Sequence, residues 1–169
     1  MDHEDRYLTI YLQDHLTAAT GGINLTRRAK GSAKGRDEEL HAFYGGFEEE
    51  LLEERRSLLG FLSEIGAGPH TAKALAATVG ERLGRLKLNG HLLSRSPYSD
   101  LVELEGLSIA VQGKRLGWIA LQERAHPRFD PTELARLVTQ AEDQHDRLEA
   151  LRRPRAARIL AGLAPTPAS

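Results

Sequence analysis

Asp130-Pro131-Thr132-Glu133-Leu134-Ala135-Arg136-Leu137-Val138-Thr139-Gln140-Ala141-Glu142-Asp143-Gln144-His145-Asp146-Arg147-Leu148 is the stretch whose reading decides the fold. It opens as a helix must. Asp130 is a side-chain acceptor at the N-cap, Pro131 sits at the first helical position and Glu133 at the third. Leu134, Leu137, Ala141 and Leu148 then fall on one side at helical spacing, and the opposite side is charged. Steps of about 100° per residue carry His145 into that apolar stripe, with Glu142 one turn earlier on the same side. A long amphipathic helix with polar groups turned inward predicts an all-α bundle.

The rest of the chain agrees. No run of alternating β-branched residues reads as a strand, and Gly and Pro divide the sequence into helical patterns. Helix 1 is predicted over about Asp5–Ala29, with Tyr7, Tyr11, Ala18, Gly22 and Leu25 on one face and His15 within a broad inward side. Lys30–Arg36 reads as a loop. Helix 2 follows from an Asp37 N-cap to Ile65, its stripe being Leu40, Phe43/Tyr44, Phe47, Leu51, Leu58, Phe61/Leu62 and Ile65. Gly66 suits the left-handed position that ends it. Helix 3 is predicted over His70–Leu88 with Leu75, Val79, Leu83 and Leu86 as its stripe. Helix 4, capped by Ser96 or Ser99, reaches about Ala125 with Leu101, Leu104, Leu107, Val111 and Trp118 inward. Helix 5 runs to about Arg152, where Pro154 kinks or ends it. Arg155–Leu163 reads as a short terminal helix and residues 165–169 as a disordered tail, leaving residues 1–164 as a single helical domain.

Composition removes several function classes. The 169 residues contain no cysteine, which excludes thiolate metal sites, disulfides and thiol catalysis. Twenty-three basic residues against 24 acidic ones give a net charge of -1, against a dedicated nucleic-acid or membrane-surface binder. The acidic start Met1-Asp2-His3-Glu4-Asp5 lacks the form of a signal peptide, so a cytoplasmic location is expected. No glycine cluster follows a strand to cradle a phosphate. The basic run Arg152-Arg153-x-Arg155-x-x-Arg158 complements a helix C-terminus.

Carboxylates and imidazoles at inward positions are the candidates for chemistry. Glu54 lies between Phe47, Leu58 and Phe61, and Glu50 borders it one turn earlier. Glu103 and Glu105 flank the stripe of helix 4 on opposite sides, and His15, Glu142 and His145 complete the set. Such groups inside a bundle are costly unless paired, protonated or metal-bound, and oxygen with imidazole donors suits iron, manganese or zinc. Lys114 offers the other solution: an ammonium that neutralises one of these acids, giving a salt-bridged core without metal.

The arrangement resembles the ferritin-like superfamily, the fold of bacterioferritins and rubrerythrins. Asp14-His15-Leu16-Thr17-Ala18-Ala19 resembles the helix that carries a Glu ligand there, with His15 in its place. Glu50-Leu51-Leu52-Glu53 resembles their Glu-x-x-His step with Glu53 for the His, Glu142-x-x-His145 keeps it intact, and Glu105 (or Glu103) would stand for the Glu of their third helix. The resemblance implies a four-helix bundle, up-down-down-up, with a helical crossover between the second and third bundle helices. With Glu54 taken for its inward position, the candidate metal set is His15, Glu50, Glu54, Glu105, Glu142 and His145. Two functions are then expected: a non-catalytic binding or scaffold protein with a degenerate metal site and no cofactor, or a di-metal Fe/Mn protein with oxidase, peroxide-detoxifying or storage activity. Catalytic residues are unassigned. The partners expected are a second copy in a homodimer or another protein, not a membrane or nucleic acid.

Overall fold

Asp37 and Asp130 cap helices where the sequence places them: Asp37 accepts from the Leu40 N–H at 3.0 Å and Asp130 from the Thr132 N–H at 2.8 Å. The computed structural model describes residues 5–68 and 96–162, which form four helices: α1 (Arg6–Ala33), α2 (Glu38–Glu64), α3 (Pro97–Arg124) and α4 (Pro131–Leu160). There is no strand among the described residues. Ser96 is the N-cap of α3, with the Ser99 hydroxyl accepting from the Ser96 N–H at 3.3 Å, and Gly66 takes the left-handed conformation beyond α2 (φ 72°). The helix expected over 70–88 and the tail 165–169 lie outside the described residues.

Side-chain pairs fix the helix directions. Arg27 and Lys30 reach Glu48 while Gln13 reaches Gly68, so α1 and α2 are antiparallel. Arg115 pairs with Glu142 and Ser108 with Glu149, which makes α3 and α4 antiparallel. Arg36 holds Asp100 while His15 lies against Gly117, and the same follows for α1 and α3. Ser57 meets Glu133 and Arg155 meets Asp37, so α2 and α4 also run oppositely. Across the diagonal, Glu54 meets Lys114 and Phe61 meets Trp118, hence α2 and α3 point the same way. The end of α2 and the start of α3 are therefore at opposite ends of the bundle. Packing is closest within the two hairpins, α1 with α2 and α3 with α4.

Between them lies one apolar core. Leu12, Leu16, Leu40, Phe47, Leu62, Leu104, Leu107, Leu134, Leu137 and Leu148 are almost fully buried. Each contributes about 1.5–3 kcal/mol on burial. The stripes predicted for helices 2 and 4 are the buried ones.

Four expectations are corrected. Helix 1 does not stop at Ala29 but continues through Gly31 and Ser32, because Ala29 and Ala33 are both fully buried. Its inward face is Leu8, Leu12, Leu16, Ile23 and Thr26, whereas Tyr7 is 78% exposed: the aromatic rings weigh heavily in the sequence pattern, but the aliphatic register packs against α2. Pro154 does not end α4 at Arg152. The helix runs on to Leu160 as one piece, with Arg155 donating back to the Leu151 carbonyl (3.2 Å) and to Asp37 and Glu39 at the start of α2. On α4 the inward residue of the Glu142–His145 turn is Gln144, fully buried, while His145 sits at the edge of the stripe with a quarter of its side chain exposed.

Candidate functional site

The centre of the bundle is polar. Glu54, 2% exposed among Leu51, Leu58 and Phe47, cannot stand there as an isolated anion. Lys114 of α3 meets it, its Nζ donating to Glu54 Oε2 at 2.5 Å and also to Gln144 Oε1. Gln144 Nε2 donates in turn to Glu54 Oε1 and to Glu50 Oε2, each at 2.9 Å. Arg147, one turn further along α4, closes the chain by donating to Glu50 Oε2 at 2.7 Å and to Asp143 Oδ2 at 2.7 Å. Three helices are thus joined through one ammonium, one amide, one guanidinium and three carboxylates. Burial raises Glu54 above the usual carboxylate range and Lys114 opposes that rise. For Lys114 itself, burial lowers the ammonium and Glu54 holds it up.

This centre tests the candidate metal set. Glu50 and Glu54 are brought together, as expected. The other members are elsewhere. Glu142 pairs with Arg115 on the surface (2.7 Å), and Glu105 is exposed and lies 3.5 Å from Arg152. The glutamate of α3 that is buried is Glu103, facing Arg28 at 3.6 Å, because its spacing from Leu107 and Val111 continues the buried stripe and that of Glu105 does not. His145 lies beside Asp146, and the His15 ring lies against Tyr11, tilted by 60° with ring centroids 4.6 Å apart. No group of three or more His, Asp or Glu side chains that could hold a metal ion occurs among the described residues. The donor chemistry agrees: both oxygens of Glu54 accept N–H bonds, and an ammonium occupies the space a cation would need. The residues present do not fit a dinuclear metal group.

Beside this network lies a cleft of about 240 Å³ between α1, α2 and α3, open to solvent at its rim, where Ala18, Ala110 and Gly113 are exposed. Its walls are small on two helices, Ala18, Ala19 and Gly22 on α1 and Ala110 and Gly113 on α3, which is why the space is left unfilled. Phe47, Leu51, Leu58, Leu107, Val111 and Trp118 form its apolar floor, and Glu54 and Lys114 border it. His15 stands at one side, and its partial burial lowers the imidazole below its usual pKa against the small opposing effect of Asp14. Gly117 makes that placement possible: a Cβ there would stand 2.5 Å from His15 Cε1.

The sequence places Glu54 inward and offers Lys114 as the partner of one of the inward acids, and the structure identifies that acid as Glu54. Gln144 is the central residue the sequence reading misses, although Leu134, Leu137, Ala141, Gln144 and Leu148 alternate three and four apart without interruption. Scans against protein-family models, curated proteins and solved structures find no match to this chain.

Proposed function

We propose that this chain is a ferritin-like bundle that works without metal and without catalysis, as a cytoplasmic binding or scaffold protein. The observation that carries the reading is the Lys114 ammonium, held between Glu54 and Gln144 where a metal-binding bundle needs open carboxylates. The helix directions support the ferritin-like part, since α2 and α3 run parallel across the diagonal as an up-down-down-up bundle requires. The test is elemental analysis of tag-free protein purified without chelator, before and after anaerobic addition of Fe(II) or Mn(II). Less than a tenth of an equivalent is expected in each case, and about one or two atoms per chain would overturn the reading.

Self-association is a second element of the proposal. Val102, Ile109 and Leu116 recur every seven residues on the exposed side of α3, a stripe that a copy of the same helix could cover. Light scattering across a concentration series should show a dimer that Ile109→Lys weakens. A monomer at the highest concentration would rule it out.

A further inference from the structure

We propose that the cleft between α1, α2 and α3 is a binding site for a small neutral molecule, apolar over most of its surface and carrying one hydrogen-bond acceptor. Size comes from the cleft volume of about 240 Å³. Scaling from an apolar protein cavity of about 150 Å³ that stays dry and accepts benzene, the space suits roughly ten non-hydrogen atoms. Apolarity comes from the walls, which are alanine, glycine, leucine, valine and aromatic surfaces everywhere except at His15, Glu54 and Lys114. The acceptor is asked for by Trp118. It is 2% exposed, it lines the cleft, and its indole N–H is buried with no acceptor among the described residues. Indole is a donor only, so its missing partner must be an oxygen or nitrogen lone pair.

Neutrality follows from the network beside the cleft. Glu54 is already matched by Lys114, so the charged groups that border the cleft pair with each other and leave none over for a charged ligand. This step rests on the metal-free reading of the centre, because a metal that took Glu54 would release Lys114 to hold an anion. His15 agrees with it: burial favours the neutral imidazole at the cleft's edge.

The experiment is a titration of the full chain with camphor, a compact neutral ketone, followed by the indole N–H resonance of the single tryptophan. Bornane, the same skeleton without the carbonyl, serves as the control. The expected result is a saturable downfield shift with camphor and binding about tenfold weaker or more for bornane. Gly22→Leu and Gly113→Leu fill the cleft from two helices, and a Cβ at either position meets nothing within 4 Å. With native circular dichroism, at least one of them should weaken camphor binding by about tenfold or more. No saturable shift up to the solubility of camphor would overturn the proposal. So would unchanged affinity in both variants, or bornane binding as tightly as camphor. Metal content is measured on the same preparation. Metal-free protein that ignores camphor would sink the ligand proposal alone, whereas stoichiometric iron or manganese would sink the reading of the centre.

Discussion

Lys114→Met isolates the electrostatic centre. The substitution keeps the volume of the side chain and removes its charge, leaving Glu54 buried against Leu58 and Phe47 with only the Gln144 amide as donor. Removing one partner of a buried pair costs about 3–5 kcal/mol when the remaining charge has no escape. Glu54 has an escape, because it can take up a proton. Burial already raises it above 4.5, and loss of the opposing Lys114 raises it further. A carboxyl whose folded value lies above its unfolded one binds more protons in the native state, so stability falls as pH rises between those two values and is flat beyond them. The variant should therefore lose about 3 kcal/mol at about pH 8 and only about 1 kcal/mol at about pH 5. Urea unfolding followed by circular dichroism at the two pH values gives both numbers. Glu54→Leu in the same chain should return most of the loss at high pH, since an apolar replacement of both partners leaves nothing uncompensated. A loss under about 1 kcal/mol at both pH values, or one equal at both, would refute the dependence of Glu54 on Lys114.

Three other perturbations follow from named contacts. Gly117→Ala must displace the His15 ring, since its Cβ would lie 2.5 Å from Cε1. The gain in helix propensity of up to about 1 kcal/mol offsets part of the lost packing, and the His15 imidazole should titrate at higher pH once it is less buried, as NMR of the histidine ring protons will show. Glu149 accepts from Ser108, Arg152 and Arg153, and the Arg152 bonds above all hold its carboxyl down to about 2. A lowered folded value gives stability that is complete above about 4.5 and lost as pH falls toward about 2. Discounted for screening near the surface, this is on the order of 1 kcal/mol, and Glu149→Gln should flatten the acid limb of the unfolding curve over that window. Pro154→Ala restores an amide donor within α4 and should stabilise the protein by about 1–3 kcal/mol in thermal or urea unfolding. An unchanged midpoint would mean that the last turns of α4 contribute little to the cooperative unit.

The architecture was legible because its signals are local and redundant. Asp37, Asp130 and Gly66 mark helix boundaries through hydrogen bonds to their own neighbours, and the stripe of α2 continues for seven turns. The errors arose where a tertiary contact overruled a local rule. Lys30-Gly31-Ser32 reads as a loop until Lys30 finds Glu48 across the hairpin and Ala33 is buried. Pro154 reads as a helix end until Arg155 is anchored to the start of α2. In the site, Glu54 was legible because an acid flanked by Phe47, Leu58 and Phe61 has no route to solvent. His145 and Glu105 misled because each lies about 100° from a buried neighbour, an angle within the uncertainty of any wheel drawn on one helix alone. Partners on other helices decide between Gln144 and His145, and single-helix periodicity does not contain them.

The same reasoning explains why the centre is polar although it holds no metal ligand set. Replacing a buried ion pair by hydrocarbon of equal volume is often neutral or stabilising, so stability alone does not account for Glu54 and Lys114. Their placement does more for uniqueness of packing. Phe47, Leu51, Leu104, Leu107, Leu134 and Leu137 would tolerate a sliding register between the two hairpins, since one leucine can replace another at small cost. The bond chain from Lys114 through Glu54 and Gln144 to Glu50 and Arg147 permits one register only, because a one-turn slip leaves a buried charge unpaired. That constraint also keeps the small residues of α1 opposite those of α3, and so keeps the cleft open. The double replacement Glu54→Leu with Lys114→Met should therefore be stable yet show a broadened indole N–H resonance for Trp118, the mark of a core that has lost a single packing.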